Sequence, residues 1–227
     1  MNRRDLLLCL ATAAGVAGCA GRAPSWVQES SAQYAEPTAL PAPVTDGPVS
    51  LEQAIRRRRS MREYRSDPVP EAVIGQLLWA GQGITSADGK RAAPSAGGLY
   101  PLELYVVSRS QVSHYLPDGH RIEVRATADL HAELRAAAYG QAHVAAAPVV
   151  IVIAAFGDRT RRKYGPRASA FVEREAGHAA QNILLMAAAL GLAAVPVGSV
   201  DPAKCAVALA LPADQHVHYL IPIGLPH

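Results

Sequence analysis

The sequence predicts an α+β fold, with a mixed sheet flanked by helices and one buried central helix. Three observations carry that expectation. Pro148 to Phe156, PVVIVIAAF, is a continuous apolar run of strand length, the pattern of a strand covered on both faces. Residues 168–192, ASAFVEREAGHAAQNILLMAAALGL, form the longest helical pattern; their second half is apolar nearly all round, which implies burial on most sides. A strand over Leu102–Ser108, and a hairpin signal after it, alternate with helical segments. At 227 residues, 50% hydrophobic and 18% charged, the chain suits one globular domain with a substantial core.

In chain order, the first feature is an address. Arg3-Arg4 precede an apolar stretch from Leu6 to about Ala17, short of the roughly 20 residues that span a bilayer. This reads as a signal peptide of the twin-arginine kind. Val16-Ala17-Gly18-Cys19 resembles the bacterial lipobox, with Val16 in place of the commoner leucine. The expectation is a leader over 1–19, export to the periplasmic side of the cell envelope, and a lipid anchor on the membrane at Cys19. An ordinary signal peptide with a chance cysteine is the alternative. Residues 20–48 are rich in Ala, Pro and Ser without a period, and read as a tether or as an arm that wraps a partner subunit. The folded domain is expected over 49–227.

Ser50-Leu51-Glu52-Gln53 is a capping box that opens a helix running to about Arg58. Pro70 and Glu71 open a second, with Val73, Ile74, Leu77, Leu78 and Trp79 on its apolar face and an end near Gly81-Gln82-Gly83. Tyr115-Leu116 and Ile122-Glu123-Val124 flank Asp118-Gly119 as a hairpin. Asp129 caps a helix through Ala138. Gly191 terminates the long helix, Ala194 to Val200 reads as a strand, Asp201 or Pro202 starts a short helix, and Val217 to Ile223 is the last strand.

Composition excludes several functions. The net charge is only +3 and the arginines cluster locally, around 56–62 and 159–167, so no basic stripe for nucleic acid forms. Aromatic residues are 5% of the chain, too few for a base-stacking surface. Three cysteines without a CxxC suggest neither zinc nor a redox dithiol, and Cys205 reads as a small buried hydrophobe. His216 and His218 share one strand face, but spacing implies no third ligand, so no metal is expected.

Five stretches carry chemistry. Arg58-Arg59-Ser60 can grip a phosphate, because guanidinium forks pair with phosphate oxygens; arginines at a helix C-terminus also simply offset the helix dipole. Pro94-Ser95-Ala96-Gly97-Gly98-Leu99-Tyr100-Pro101 is a small-residue loop into a strand, able to approach a flat ligand closely or to serve as a plain turn. Pro196-Val197-Gly198-Ser199 offers backbone amides beside a glycine. Lys163-Tyr164 is either a proton-handling pair or part of an exposed basic loop. Gln181 and Asn182 lie on an otherwise apolar helix and need partners; His178 reads more readily as a core histidine than as a catalyst.

In their order and spacing these stretches resemble the FMN-dependent nitroreductase family over about residues 50–226, and most closely its azoline-oxidising, SagB-type dehydrogenase branch. The resemblance implies that Arg58, Arg59 and Ser60 hold the FMN phosphate. Pro94, Ser95, Ala96, Gly97 and Gly98 would line the flavin, and Pro196, Val197, Gly198 and Ser199 would reach its N5 and O4 edge. Lys163 and Tyr164 would assist proton removal from substrate, and two flavins would sit at the interface of an intertwined homodimer. Relatives commonly carry a basic residue after the last strand; here Leu225-Pro226-His227 stands, with His227 as its substitute. The implied activity is ping-pong hydride transfer between small molecules through flavin N5. A lipoprotein that keeps this fold as a binding or scaffolding module is the alternative. The loop from Ala126 to Ala146, where relatives vary, is expected to shape the pocket, though its side chains His131, Arg135, Tyr139 and His143 name no ligand.

Overall fold

A computed structural model describes residues 36–227. The expected leader, Arg3-Arg4 and Cys19 lie outside the described residues. Helices are α1 (Leu51–Arg57), α2 (Glu71–Gln82), α3 (His131–Ala137), α4 (Ala142–Ala146), α5 (Gly157–Tyr164), α6 (Ala168–Ala189) and α7 (Pro202–Ala208). Strands are β1 (Thr38–Ala39), β2 (Leu102–Ser108), β3 (Val112–Leu116), β4 (Arg121–Ala126), β5 (Val149–Phe156), β6 (Ala193–Ala194) and β7 (Gln215–Gly224). They form one sheet in the order β1-β4-β3-β2-β5-β7-β6. Every strand pair is antiparallel; the parallel part of the sheet is a single bridge between Ser60 and Ala194.

The architecture is the α+β one expected, and β5 shows why. Its alternate side chains feed two cores. Ile151 and Ile153 join Leu77 and Leu78 of α2 and Ile183 of α6 on one face. Val150, Val152 and Ala154 join Leu134 of α3, Val144 of α4 and Cys205 of α7 on the other. A strand covered on both sides has no polar face, hence the unbroken apolar run. Cys205 is buried, and its thiol is pushed up to about 11 by that burial.

Helix ends follow local chemistry. Ser50 Oγ accepts from Gln53 N–H at 3.3 Å, as the capping box requires. Asp201 Oδ1 accepts from Ala203 and Lys204 N–H, opening α7. At the end of α6, Leu192 N–H reaches back to Ala187 O at 2.8 Å beside left-handed Gly191.

Several elements depart from the expectation. The strand over Ala194 to Val200 shrinks to Ala193–Ala194 plus one bridge between Val197 and Leu220. Pro196 is the cause, since it has no N–H and interrupts a ladder. α5 occupies what reads as a basic loop; it has Asp158 in its first turn and Arg161, Arg162 and Lys163 in its last, so charge rather than an apolar stripe supports it. Packed structure also begins before residue 49. Thr38–Ala39 pairs with Arg121–Ile122, Leu40 is buried, and Gln76 exchanges two hydrogen bonds with the Val44 backbone. Gln181 and His178 are exposed, not buried; of the polar pair on α6, Asn182 finds a partner in Ala92 O at 3.3 Å.

Candidate functional site

The predicted residues gather at two places, both braced by α6. The first is at its C-terminal end. Chain leaving α1 runs extended, Ser60 bridges to Ala194, and Met61 N–H donates to Ala194 O at 3.1 Å. This sets Arg57, Arg58 and Arg59 around a cavity of about 220 Å³, completed by Leu184, Ala188, Gly191, Leu192 and Pro226. Among the described residues no acidic side chain lines it. Arg59 Nη1 donates to Arg58 O at 2.7 Å, which folds that side chain back over its own turn. His227 is the next residue after Pro226 and is exposed. A cationic, apolar-floored hollow of this size fits a phosphate group and not a whole flavin.

Pro196 to Ser199 continue from the same strand edge. Val197 exchanges backbone hydrogen bonds with Leu220 at 2.8 and 3.0 Å. Gly198 is exposed above the Tyr219 ring, and a Cβ there would lie 3.2 Å from Tyr219 Cε1. Ser199 O accepts from Gln141 Nε2.

The second place is near the N-terminal end of α6. Pro94 to Gly98 form a tight loop with a 3-10 turn over Ala96–Gly98, in which Gly97 and Gly98 both have φ of +65°. Such a φ strains any residue with a Cβ. At Gly97 there is also no room, because a Cβ would meet Lys163 Nζ at 2.8 Å and Tyr164 Oη at 2.9 Å. The loop and the Lys-Tyr pair, 66 positions apart in sequence, therefore meet at one point. Tyr100, itself at φ +46°, is held on all sides. Its N–H donates to Ser95 Oγ at 2.9 Å, its carbonyl accepts from Arg159, its hydroxyl accepts from Arg91 N–H, and Arg91 stacks on its ring at 4.8 Å.

Beneath the loop lies Glu175 of α6, only 2% exposed. Burial pushes its carboxyl up to about 7, against the opposing pull of the Ser95 hydroxyl, the Arg91 charge and the Ala96 amide. Oε1 is buried without a hydrogen-bond partner. Sequence reasoning passed over Glu175. The signal available was an acid in line with Val172, Ala176 and Ala179 on the buried stripe of the helix.

The two places are not adjacent within one chain. Glu175 is nine to thirteen residues before Leu184 and Ala188, about 14–20 Å at the rise of an α-helix. The Ala126 to Ala146 loop, expected to shape the pocket, packs away from both places. His131, Glu133, Arg135 and Ala145 line a hollow with Arg109 and Asp129 on the other face of the sheet. Among the described residues no three His, Cys, Asp or Glu side chains group as metal ligands. His216 and His218 instead line a cavity of about 630 Å³ with Arg161, Ser169 and Val172.

Comparison with known proteins adds a family. The model described as "Nitroreductase family" matches residues 55–225. A nitroreductase-like protein of Methanocaldococcus jannaschii is 41% identical over 157 residues, covering 66% of this chain and 79% of its own. The NADH dehydrogenase of Thermus thermophilus is 31% identical over 206 residues, covering 78% and 87%. Among solved structures, a nitroreductase-like protein of Ralstonia eutropha superposes with a TM-score of 0.78 at 29% identity, over 85% of this chain and 90% of that one. One from Desulfovibrio desulfuricans, solved in complex with FMN, has a TM-score of 0.58 at 27% identity, over 80% and 88%.

Proposed function

The chain belongs to the nitroreductase family, and on that premise we propose that it is an FMN-dependent oxidoreductase of the SagB-type, azoline-oxidising kind. FMN would supply hydride acceptance and donation at N5 in a ping-pong cycle. The chain's own residues supply the rest. Arg58 and Arg59 line the hollow and bind phosphate there; Ser60 is not among its lining residues but sits between Arg59 and Met61, which are, and would add its hydroxyl from that rim. Ser95 to Gly98 form a wall that the Gly97 backbone lets a flat ring approach. Lys163 Nζ and Tyr164 Oη, converging on Gly97, take the proton that leaves the substrate as the hydride departs.

The observation that carries this reading is that convergence. A lysine and a tyrosine from α5 close over the loop glycine at which a Cβ has no room. A plain turn gives no reason for it.

The distance between the phosphate hollow and the loop supports the homodimer, in which a loop from one protomer faces the arginines of the other. Leu51, Ile55, Met61 and Leu190 are exposed at 62, 56, 40 and 41% on the α1 and α6 side of a single chain, apolar surface that a second copy would cover. The leader residues Arg3-Arg4 and Cys19 support a cell-envelope location with electrons from an organic substrate instead of a nicotinamide.

Purified protein titrated with FMN tests the reading. Quenching of flavin fluorescence, flavin reduction by a thiazoline or oxazoline substrate, and loss of that reduction in Lys163→Ala are expected. A protein that takes up no FMN is instead a binding module on the same fold.

A further inference from the structure

α5 has little of its own to fix where it lies. Its eight residues bury one side chain, Thr160, and no side chain caps its first turn. Lys163, which it carries over Gly97, makes no hydrogen bond or ion pair with any described residue. Its Nζ rests between Gly97 and the Tyr164 ring, 5.6 Å from that ring's centroid. The place of a side chain held so loosely is inherited from its helix. Arg159 supplies the anchor. It stands one turn before Lys163, so the two share a face of α5. A single atom, Nη1, donates to the Tyr100 carbonyl at 3.0 Å and to Glu103 Oε1 at 2.7 Å. The guanidinium lies over the Phe156 ring at 4.6 Å, and the Phe156 N–H donates to the next carbonyl, Pro101 O, at 2.9 Å. Both carbonyls at the foot of the loop are thus tied to the start of α5.

An ion pair exposed at both ends would hold little. This one is fixed at its carboxylate end. Arg159 is 42% exposed, but Glu103 is only 11% exposed, and its other oxygen is taken by His114 Nε2 at 2.7 Å. Glu103 is also paired through its backbone with Ala154 of β5, so it cannot move to follow the arginine. Burial raises its carboxyl, yet His114 and Arg159 together outweigh burial and hold it below the ordinary range, so the acid stays charged. The guanidinium comes to the acid, and α5 comes with it.

We propose that Arg159 is the positioning residue for Lys163: by pinning the start of α5 to buried Glu103 and to the Tyr100 carbonyl, it sets Lys163 Nζ over Gly97. The inference rests on the role given to Lys163 in taking the substrate proton, and it adds what that role depends on. Tyr100 makes the link sensitive, because its φ of +46° persists only while its surroundings impose it. Release of its carbonyl loosens the loop and the helix together. Since one nitrogen serves both acceptors, a lysine at 159, a point charge with three donors, can answer both of them.

Arg159→Met, which removes the charge, and Arg159→Lys, which keeps it, decide the matter. Hydrogen exchange of the Tyr100 and Lys163 amides is measured first, without flavin. Protection at both is expected to fall about tenfold or more in Arg159→Met, the worth of one hydrogen bond to a charged group, while the Ile151 and Ile153 amides of β5 keep theirs. Arg159→Lys should stay within about threefold of wild type. Unchanged protection in Arg159→Met, or a loss shared equally by β5, overturns the proposal. The second arm uses flavin-loaded protein. Arg159→Met should lower kcat for flavin reduction by a thiazoline substrate about tenfold with KM within about twofold, and Arg159→Lys should recover most of the loss. In a Lys163→Ala background the same Arg159→Met change should cost nothing further, because Arg159 acts through that lysine. A full loss there, the mark of a merely stabilising residue, also defeats the proposal. The arms separate the two ideas. If no FMN is taken up, or if Lys163→Ala alone leaves reduction unchanged, the proton role of Lys163 fails, while amide exchange still rules on whether Arg159 holds α5. If Arg159→Met does not fold, Glu103→Gln, which withdraws the charge that holds Arg159, decides by the same readouts.

Discussion

Replacing Glu175 by glutamine is expected to make the whole protein more stable in alkaline solution and to change little in acid. In the unfolded chain the carboxyl ionises near its ordinary value of 4.5, whereas in the folded protein burial holds it up to about 7. A raised carboxyl favours the folded state while protonated. That contribution is complete below pH 4.5 and is lost as the pH rises through about 7. At about 1.4 kcal/mol per pH unit, the interval corresponds to roughly 3 kcal/mol lost by pH 8. The glutamine variant has no proton to lose. Urea denaturation of both proteins at pH 5 and pH 8 measures the difference, and comparison between them cancels Glu103 and Asp129, whose carboxyls are lowered and act in the opposite sense. Similar stabilities at pH 5, with the variant ahead by a few kcal/mol at pH 8, is the expected result. A difference that is the same at both pH values would refute the reasoning, since it would mean that Glu175 is ionised in the folded protein as readily as in the unfolded one.

Other perturbations have distinct readouts. Arg58→Gln should raise the FMN dissociation constant about ten- to a hundredfold, the worth of one charge-assisted hydrogen bond, and leave thermal stability unchanged; a Tm shift with unaltered affinity would count against the phosphate assignment. Lys163→Ala should slow reduction of bound flavin by substrate about a hundredfold or more while FMN affinity stays within a fewfold. Gly81→Ala should cost about 1–3 kcal/mol by denaturation. The added Cβ would stand 2.9 Å from Ile183 Cδ1 and 3.1 Å from Leu104 Cδ1, in the seam between α2, α6 and β2. Ile183→Ala, at a fully buried position, should cost about 2–5 kcal/mol.

Elements with one dominant local cause were legible in the sequence. β5 announced itself by having no polar face, α1 by its Ser50 cap, and the β3–β4 hairpin by Asp118-Gly119, where Gly119 takes φ +70°. What was hidden depended on tertiary partners. β1 is two residues that exist because Arg121 and Ile122 offer an edge. α5 has no apolar stripe and is fixed from outside, through Arg159 to Glu103 and the Tyr100 carbonyl. The candidate site divides in the same way. Its loop and arginines stood out as residue types in a run, whereas Glu175 was hidden, because only packing reveals that an acid on a helix faces inward beneath a loop. The open side of α6, with Leu190 exposed, was likewise invisible to a pattern that counts apolar residues without counting chains.

The small strand Ala193–Ala194 has a bearing on how copies of this protein avoid one another. A seven-stranded antiparallel sheet offers two rows of unpaired backbone groups, each a template for another chain. On one side that row is two residues long and runs into Pro196, which has no N–H to give. On the other, β1 covers Arg121 and Ile122, and the stretch of β4 beyond it carries Glu123 and Arg125. Strand-to-strand aggregation therefore finds little purchase at either end. Association between copies is steered toward helical surface, which leaves the sheet free to hold the loop and the arginine hollow in register.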